Sequence, residues 1–452
     1  MPPPARPLEP RSARASRLNT VNASTALLTD RYELTMLQAT LRDGTAQRRS
    51  VFELFARRLP EGRRYGVVAG VGRLLDALAE FRFGQVELDW LREAGVVDED
   101  TIQWLADYRF SGTIWGYPDG ELYFPQSPVL IVEGTFAESV ILETVFLSIL
   151  NHDSAIASAA TRMITAAGNR PCIEMGSRRT HEGSAVAAAR SAYIAGFAAT
   201  SNLEAGRTYG IPTTGTSAHS FTLLHDTERD AFEAQVRALG PGTTLLVDTY
   251  DIPEAIRTAV EVAGPELGGV RLDSGDLVAL AGEVRRQLDD LGATSTRITV
   301  TSDLDEYAIA ALAAAPVDGY GVGTALVTGS GAPTSGFVYK LVSREGTGGE
   351  MVPVAKKSKD KVSVGGRKSA LRRRDAAGTA QAEVIGIDLT PVHDGDDRTL
   401  LVELVRDGSR VHHETLDDAR ERLRTSLAEL PATSRQLQAG EPAIDTVYEE
   451  RT

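Results

Sequence analysis

The chain has 452 residues, too many for one small domain and enough for two, or for a barrel with additions. Its net charge of -14, from 62 acidic and 48 basic residues, argues against nucleic-acid binding, so an anionic substrate needs local arginines and N–H groups. The single Cys172 excludes an internal disulfide framework and suits a reducing cytoplasm as a buried filler, and no uninterrupted apolar run approaches a membrane span.

Residues 1–20 carry five prolines and four arginines without an apolar core, which predicts a disordered tail and excludes a secretory signal. Residues 21–140 read as the first part of an α+β domain, with helices over 32–41 and 71–81 and strands over 50–55 and 129–132. Gly70-Val71-Gly72 reads only as a turn before a helix. Residues 141–336 alternate differently. Helices over 155–167, 185–197, 252–262 and 277–291 separate short apolar runs at 172–175, 245–247, 270–272, 298–300 and 320–322. Such runs predict parallel strands buried on both faces, hence a catalytic β/α barrel. Residues 337–452 turn β-rich and polar, then end in a charged helix near 416–429; with 21–140 they form a discontinuous α+β layer beside the barrel. The basic stretch 356–374, broken by Val362-Ser363-Val364-Gly365-Gly366, reads as a solvated hairpin.

Six polar segments follow the apolar runs: Gly-Ser-Arg-Arg (176–179), Gly-Thr-Ser-Ala-His (215–219), Asp-Thr-Tyr-Asp (248–251), Asp-Ser-Gly-Asp (273–276), Ser-Asp-Leu-Asp-Glu (302–306) and Gly-Val-Gly-Thr (321–324). A β/α barrel builds its site from such strand exits on one rim; a doubly wound sheet usually offers fewer, so the barrel is favoured. His219 sits between hydroxyl residues at a strand-to-helix junction, ahead of a helix-like pattern through Phe221, Leu223, Leu224, Phe232, Val236 and Leu239. Neutral imidazole there can act as nucleophile or proton carrier.

Arg178 and Arg179 can hold a carboxylate or phosphate. Arg271 and Asp273 lie two apart on one strand, facing one side, with a structural ion pair as the alternative to a catalytic role. Gly321, Gly323 and Thr324 offer uncovered N–H groups for a phosphate. His152, His181 and His225 read as supporting or incidental. No Cys or His spacing supports a dedicated metal site, and no rim lysine suits a Schiff base. One histidine, several arginines and aspartates and a glycine-rich cup suit a phosphorylated sugar and an anionic second substrate.

From Ala26 to Arg424 the chain resembles the nicotinate phosphoribosyltransferase family. The resemblance rests on Thr29-Asp30-Arg31-Tyr32-Glu33-Leu34-Thr35-Met36, Gly176-Ser177-Arg178-Arg179, the segment from Gly215 to Phe221, Val247-Asp248-Thr249-Tyr250-Asp251, the segment from Val270 to Asp276, and Gly321-Val322-Gly323-Thr324. It implies an irregular β/α barrel beside an α+β domain, in a homodimer with shared active sites. The reaction implied joins nicotinate to phosphoribosyl pyrophosphate, with Mg2+ on the phosphates and ATP hydrolysis coupled through a phosphohistidine. By motif, His219 takes the phosphate, Arg178, Ser220 and the partner subunit's Tyr32 lie at the nicotinate, and Arg179, Ser217 and Ser302 are further substrate-binding residues. Arg271, Asp273, Ser274 and Gly275 lie at the ribose and ring, and Gly321, Gly323 and Thr324 at the 5′-phosphate. Ser177 departs from the pattern, since many members carry a larger apolar residue there.

Overall fold

Six short parallel strands line up across a curled sheet in the order Ala199–Thr200, Cys172–Glu174, Gly319–Val322, Arg297–Val300, Gly269–Leu272 and Thr244–Leu246. The five apolar runs expected from sequence are five of these strands, Ala199–Thr200 being an addition, and residues such as Leu245, Val270, Leu272, Ile298, Val300 and Val322 are fully buried. In register, Val322 pairs with Glu174, Val300 with Tyr320, and Leu272 with Val300, so the C-terminal ends of the central strands come level. That alignment is what gathers the polar exits. The ladder stays open between the Ala199 and Thr244 strands, which makes the sheet a half-barrel. The computed structural model describes residues 24–356 and 363–450, so the tail expected at 1–20 lies outside the described residues.

Helices return the chain from each exit, and their first turns are capped at the rim. Asp251 accepts from Glu254 N, Asp276 from Ala279 N and Thr227 from Asp230 N. Such caps contribute about 0.5–2 kcal/mol each and fix where a helix starts. Helix Leu277–Asp290 then buries Ala281, Val284 and Leu288 on one face. The single helix expected after His219 is instead two, His219–Leu224 and Glu228–Leu239, because Thr227 caps a new start.

The 25-residue helix Glu143–Ala167 joins both cores. Its first half places Val145, Phe146, Ile149 and Leu150 in the flanking core, and its second half puts Ile156, Ala157, Ala160 and Met163 under the parallel sheet. The consecutive helices from Phe136 to Ala167 are long and apolar enough to pass for a membrane span (mean hydropathy 1.3), although Asn151, His152, Asp153 and Arg162 interrupt the apolar run. Two-thirds of that window is buried inside the protein, as befits a core helix.

Both flanks build one antiparallel sheet, in the order Met351–Pro353, Phe337–Glu345, Arg49–Ala56, Leu130–Thr135, Thr113–Gly116, Val402–Arg406 and Ser409–Arg410. A four-stranded sheet lies beyond it, with Lys368–Arg374 against Ala380–Ile387. Here the expectation of a solvated basic hairpin fails. Lys368 is 2% exposed and meets Glu53 at 2.8 Å, and Arg372 is fully buried between Glu383 (2.9 Å) and the Phe124 ring. Carboxylates supplied by other strands offset the desolvation of these cations. Residues 357–362 of that stretch lie outside the described residues.

Candidate active site

A cavity of about 250 Å³ opens where the parallel strands end, lined by Met175, Arg178, Arg179, Arg271, Asp273, Thr301, Ser302, Asp303, Gly321, Gly323 and Thr324. Residues from four strand exits thus converge on one space. Arg271 and Asp273 do face one side: Arg271 Nη2 donates to Asp273 Oδ1 at 3.1 Å, and Arg271 Nε donates to Thr301 Oγ1 at 2.9 Å. The Thr301 hydroxyl donates in turn to Asp273. Burial pushes the Asp273 carboxyl up, but the Thr301 hydroxyl and the Arg271 guanidinium outweigh it and hold it below the usual carboxylate range. The ion pair and the catalytic reading are therefore compatible. Arg271 Nη1 also donates to Thr216 Oγ1 (3.0 Å) and Ser217 O (3.3 Å), which ties the 215–218 segment to the cavity.

His219 is the first residue of its short helix. Its Nδ1 lies 3.1 Å from Thr249 Oγ1, and its Nε2 lies 3.8 Å from Asp248 Oδ1 and 3.9 Å from Asp273 Oδ2. Asp248 is the residue sequence reasoning left unassigned. Its side chain is 1% exposed, and its Oδ2 accepts from Asp273 N (2.8 Å) and Ser274 Oγ (2.9 Å). Its Oδ1 is buried with no hydrogen-bond partner among the described residues. An orphaned buried carboxylate oxygen is costly, and here it faces an imidazole. Two carboxylates thus stand on the Nε2 side, and the Thr249 hydroxyl orients the ring at Nδ1.

Arg178 and Arg179 are exposed on a turn closed by Arg179 N donating to Gly176 O at 2.8 Å, and neither makes an ion pair among the described residues. Ser302 adopts φ +140, a conformation that side chains rarely take, and such strain persists where the surroundings impose it. Gly321 has no room for a side chain: a Cβ would lie 2.5 Å from Thr301 Cγ2 and 2.7 Å from Met175 Sδ. Gly275, at φ +93, turns the chain beside Ser274.

Other expected residues fall elsewhere. Ser220 is exposed on the His219 helix and does not line the cavity; Ser217 reaches it through its carbonyl. Tyr32 is 45% exposed beside Glu143, away from this chain's own cavity. His181 caps helix Glu182–Ile194, His225 packs on Phe221, and His152 bonds to Asp153. Gly70, at φ +103, does precede a helix, whose first N–H groups meet the Asp119 carboxylate. Cys172 is fully buried and its thiol is pushed up to about 12 by burial, as expected of a filler.

A larger opening of about 840 Å³ includes Arg73, His152, Arg207 and Tyr209, but Arg73 is paired with Asp153 and Arg207 with Glu204. The smaller cavity is lined by Arg178 and Arg179, unpaired among the described residues, and is the better candidate. Far along the chain, His393, Asp394 and Asp397 bring ligand atoms within 4.8 Å of one another, a group that no pair of His or Cys residues marks in the sequence. Arg373 already lies 3.5 Å from Asp397.

Comparison with known proteins gives this geometry a family. Residues 27–151 match the model of the nicotinate phosphoribosyltransferase (NAPRTase) N-terminal domain, and residues 171–384 match that of the NAPRTase family. A nicotinate phosphoribosyltransferase of Mycobacterium tuberculosis (strain CDC 1551 / Oshkosh) is 59% identical over 429 residues, covering 93% of this chain and 94% of that protein. The Bacillus subtilis (strain 168) nicotinate phosphoribosyltransferase is 39% identical over 361 residues, covering 77% of this chain and 73% of that protein. Among solved structures, human nicotinic acid phosphoribosyltransferase superimposes with a TM-score of 0.81 at 26% identity, covering 93% of this chain and 97% of the other.

Proposed function

The chain belongs to the nicotinate phosphoribosyltransferase family and is an enzyme of that activity, in NAD biosynthesis or salvage, and from that premise we propose how its rim divides the work. Its substrates are nicotinate and phosphoribosyl pyrophosphate. The bond from ribose C1 to the pyrophosphate oxygen breaks, and a bond from C1 to the pyridine nitrogen forms, giving nicotinate mononucleotide and pyrophosphate.

The observation that carries the assignment of roles is the pair of unpaired arginines beside an ionised aspartate in one cavity. Arg178 and Arg179 take the nicotinate carboxylate, with Ser217 and Ser220 near it. As C1 loses pyrophosphate it gains positive charge, and Asp273, held charged by Thr301 and Arg271, stabilises that charge. Ser274, Gly275 and Ser302 surround the ribose, and the N–H groups of Gly321, Gly323 and Thr324 meet its 5′-phosphate. Residues 141–336 form the catalytic domain in this reading, flanked by one α+β domain from 21–140 and 337–452.

His219 couples ATP hydrolysis to the reaction. Its Nδ1 attacks the γ-phosphorus as ADP leaves, and water later takes the phosphoryl group as inorganic phosphate. Asp248, buried with a free oxygen 3.8 Å from Nε2, steadies the charge that develops on the ring. The oxygen donors present suit a hard cation: Asp248 Oδ1 lacks a partner, and Asp273 and Asp303 adjoin it or line the cavity. Mg2+ bound with the substrate phosphates supplies charge neutralisation of the leaving pyrophosphate. The exposed Tyr32 supports a homodimer in which the partner subunit's Tyr32 reaches this rim. The free Cys172 fits a reducing compartment, and we place the enzyme in the cytoplasm.

The purified chain should release pyrophosphate from phosphoribosyl pyrophosphate only when nicotinate is present, and faster with ATP. Release without nicotinate, or none with it, would contradict the assignment. A second expectation concerns the phosphate cup. Gly321→Ala should raise the KM for phosphoribosyl pyrophosphate about tenfold, because the new methyl displaces Thr301 and Met175 from the floor. Initial rates over a range of that substrate check it.

A further inference from the structure

Glu174 ends the Cys172–Glu174 strand, is 1% exposed, and has no cation within ion-pair distance among the described residues. Burial pushes its carboxyl up, against the two hydrogen bonds that it receives. An unpaired buried carboxylate is expensive to keep, so what it holds is informative.

One Glu174 oxygen accepts from Gly176 N and the other from the Thr200 hydroxyl. Gly176 opens the turn that carries Arg178 and Arg179. Thr200 Oγ1 accepts from Asn202 N at 2.9 Å, and Ser201 N donates to Glu174 O at 2.8 Å. Asn202 closes the circuit: its Nδ2 donates to Ser177 Oγ at 3.0 Å, while its Oδ1 caps helix Leu203–Tyr209 by accepting from Ala205 N at 2.8 Å. The arginine turn is thus fastened at two successive residues, Gly176 and Ser177, to a neighbouring strand exit. Gly176 also has no room for a side chain, since a Cβ there would meet Val327 Cγ1 at 2.2 Å.

The physical reason for such a clamp lies in the arginines themselves. A guanidinium kept free for a ligand's carboxylate cannot be tethered at its head by a protein carboxylate, because that partner would compete. Its order must come from the backbone beneath it. Ser177 supplies the acceptor that lets Asn202 fasten this turn.

We propose that Glu174, acting through Thr200, Asn202 and Ser177, is a positioning residue for nicotinate recognition. The proposal rests on the reading that Arg178 and Arg179 bind the nicotinate carboxylate. It gives the circuit a selective effect: loosening it moves the arginines, not the ribose or phosphate contacts, so the nicotinate KM rises while kcat and the other KM change little.

The test uses the full chain with Glu174→Gln, Asn202→Asp, Ser177→Ala and Arg178→Ala, each with both substrates varied in turn and with thermal melting. Asn202→Asp keeps the cap on Ala205 N, but its carboxylate can meet Ser177 only if the hydroxyl reverses to donate, and its added charge competes for Arg178 and Arg179. Glu174→Gln and Asn202→Asp should raise the nicotinate KM about tenfold and change the phosphoribosyl pyrophosphate KM and kcat less than about threefold. Ser177→Ala, which removes one neutral hydrogen bond, should raise it about two- to fivefold. Equal rises in both KM values with a lowered melting temperature would mean a role in folding only and would overturn the proposal. So would an unchanged nicotinate KM in Asn202→Asp and Ser177→Ala while Arg178→Ala raises it. An unchanged KM in Arg178→Ala itself would instead sink the arginine reading, and the clamp with it. Should Glu174→Gln fail to fold, the other variants decide alone.

Discussion

Replacing His219 with alanine should leave the chain without acid-labile phosphate after incubation with ATP and should erase the ATP-driven gain in rate. The expected loss in kcat/KM relative to the ATP-coupled enzyme is about 10²-fold, the lower end of what one positioned nucleophile or proton-transfer group contributes. The argument is geometric. The ring is oriented by the Thr249 hydroxyl at Nδ1, and on the Nε2 side it faces Asp248 and Asp273 at 3.8 and 3.9 Å. Alanine there takes the imidazole from beside Asp248 but does not touch Arg178, Gly321 or Gly323, which line the cavity. The variant should therefore keep the slower, ATP-independent turnover. Base-quenched protein labelled from ATP separates the outcomes: label persisting on His219→Ala would place the phosphoryl acceptor elsewhere.

Asp273→Asn should cost more in kcat than in either KM. Removing one preorganised group that faces developing charge typically lowers kcat about 10²–10³-fold, or about 2.7–4 kcal/mol. Asparagine keeps the shape and can still meet Thr301, so the fold should survive, but no negative charge faces C1 of the ribose. Arg271 would also lose its ion pair. The sign of the pH effect follows from the depressed carboxyl. A lowered folded value contributes stability that is fully present above the unfolded value of about 3.9 and is lost as pH falls through the folded value. Between neutrality and mild acid the melting difference between wild type and Asp273→Asn should therefore stay constant. A kcat within about threefold of wild type would remove Asp273 from the transition state.

Much of the parallel sheet was legible because strands buried on both faces leave unbroken apolar runs, and those at 172–175, 270–272, 298–300 and 320–322 each became one. The rim followed from the polar residues after them. Glu174 and Thr301 were not legible. Each sits at the end of an apolar run, and its role depends on a neighbour fixed by register, Thr200 for one and Arg271 with Asp273 for the other. Asp248 lay inside a motif that was read, yet its importance rests on an orphaned oxygen that only coordinates reveal. Lys368 and Arg372 were misread as solvated, since the carboxylate opposite Lys368, Glu53, is more than three hundred residues away. Tyr32 illustrates a different limit: its motif marks it for a site that its own chain does not bring to it.

The most direct test of the central claim, that this rim selects a pyridine by its single carboxylate and drives its capture with ATP, is a panel of nicotinate, nicotinamide and quinolinate. Each is assayed for pyrophosphate release from phosphoribosyl pyrophosphate with and without ATP. Nicotinate should be used at least about tenfold better than nicotinamide, whose uncharged amide leaves the arginines unpaired at a cost of about 1–3 kcal/mol, and ATP should raise the nicotinate rate. Faster turnover of nicotinamide or quinolinate, or a nicotinate rate indifferent to ATP, would contradict it.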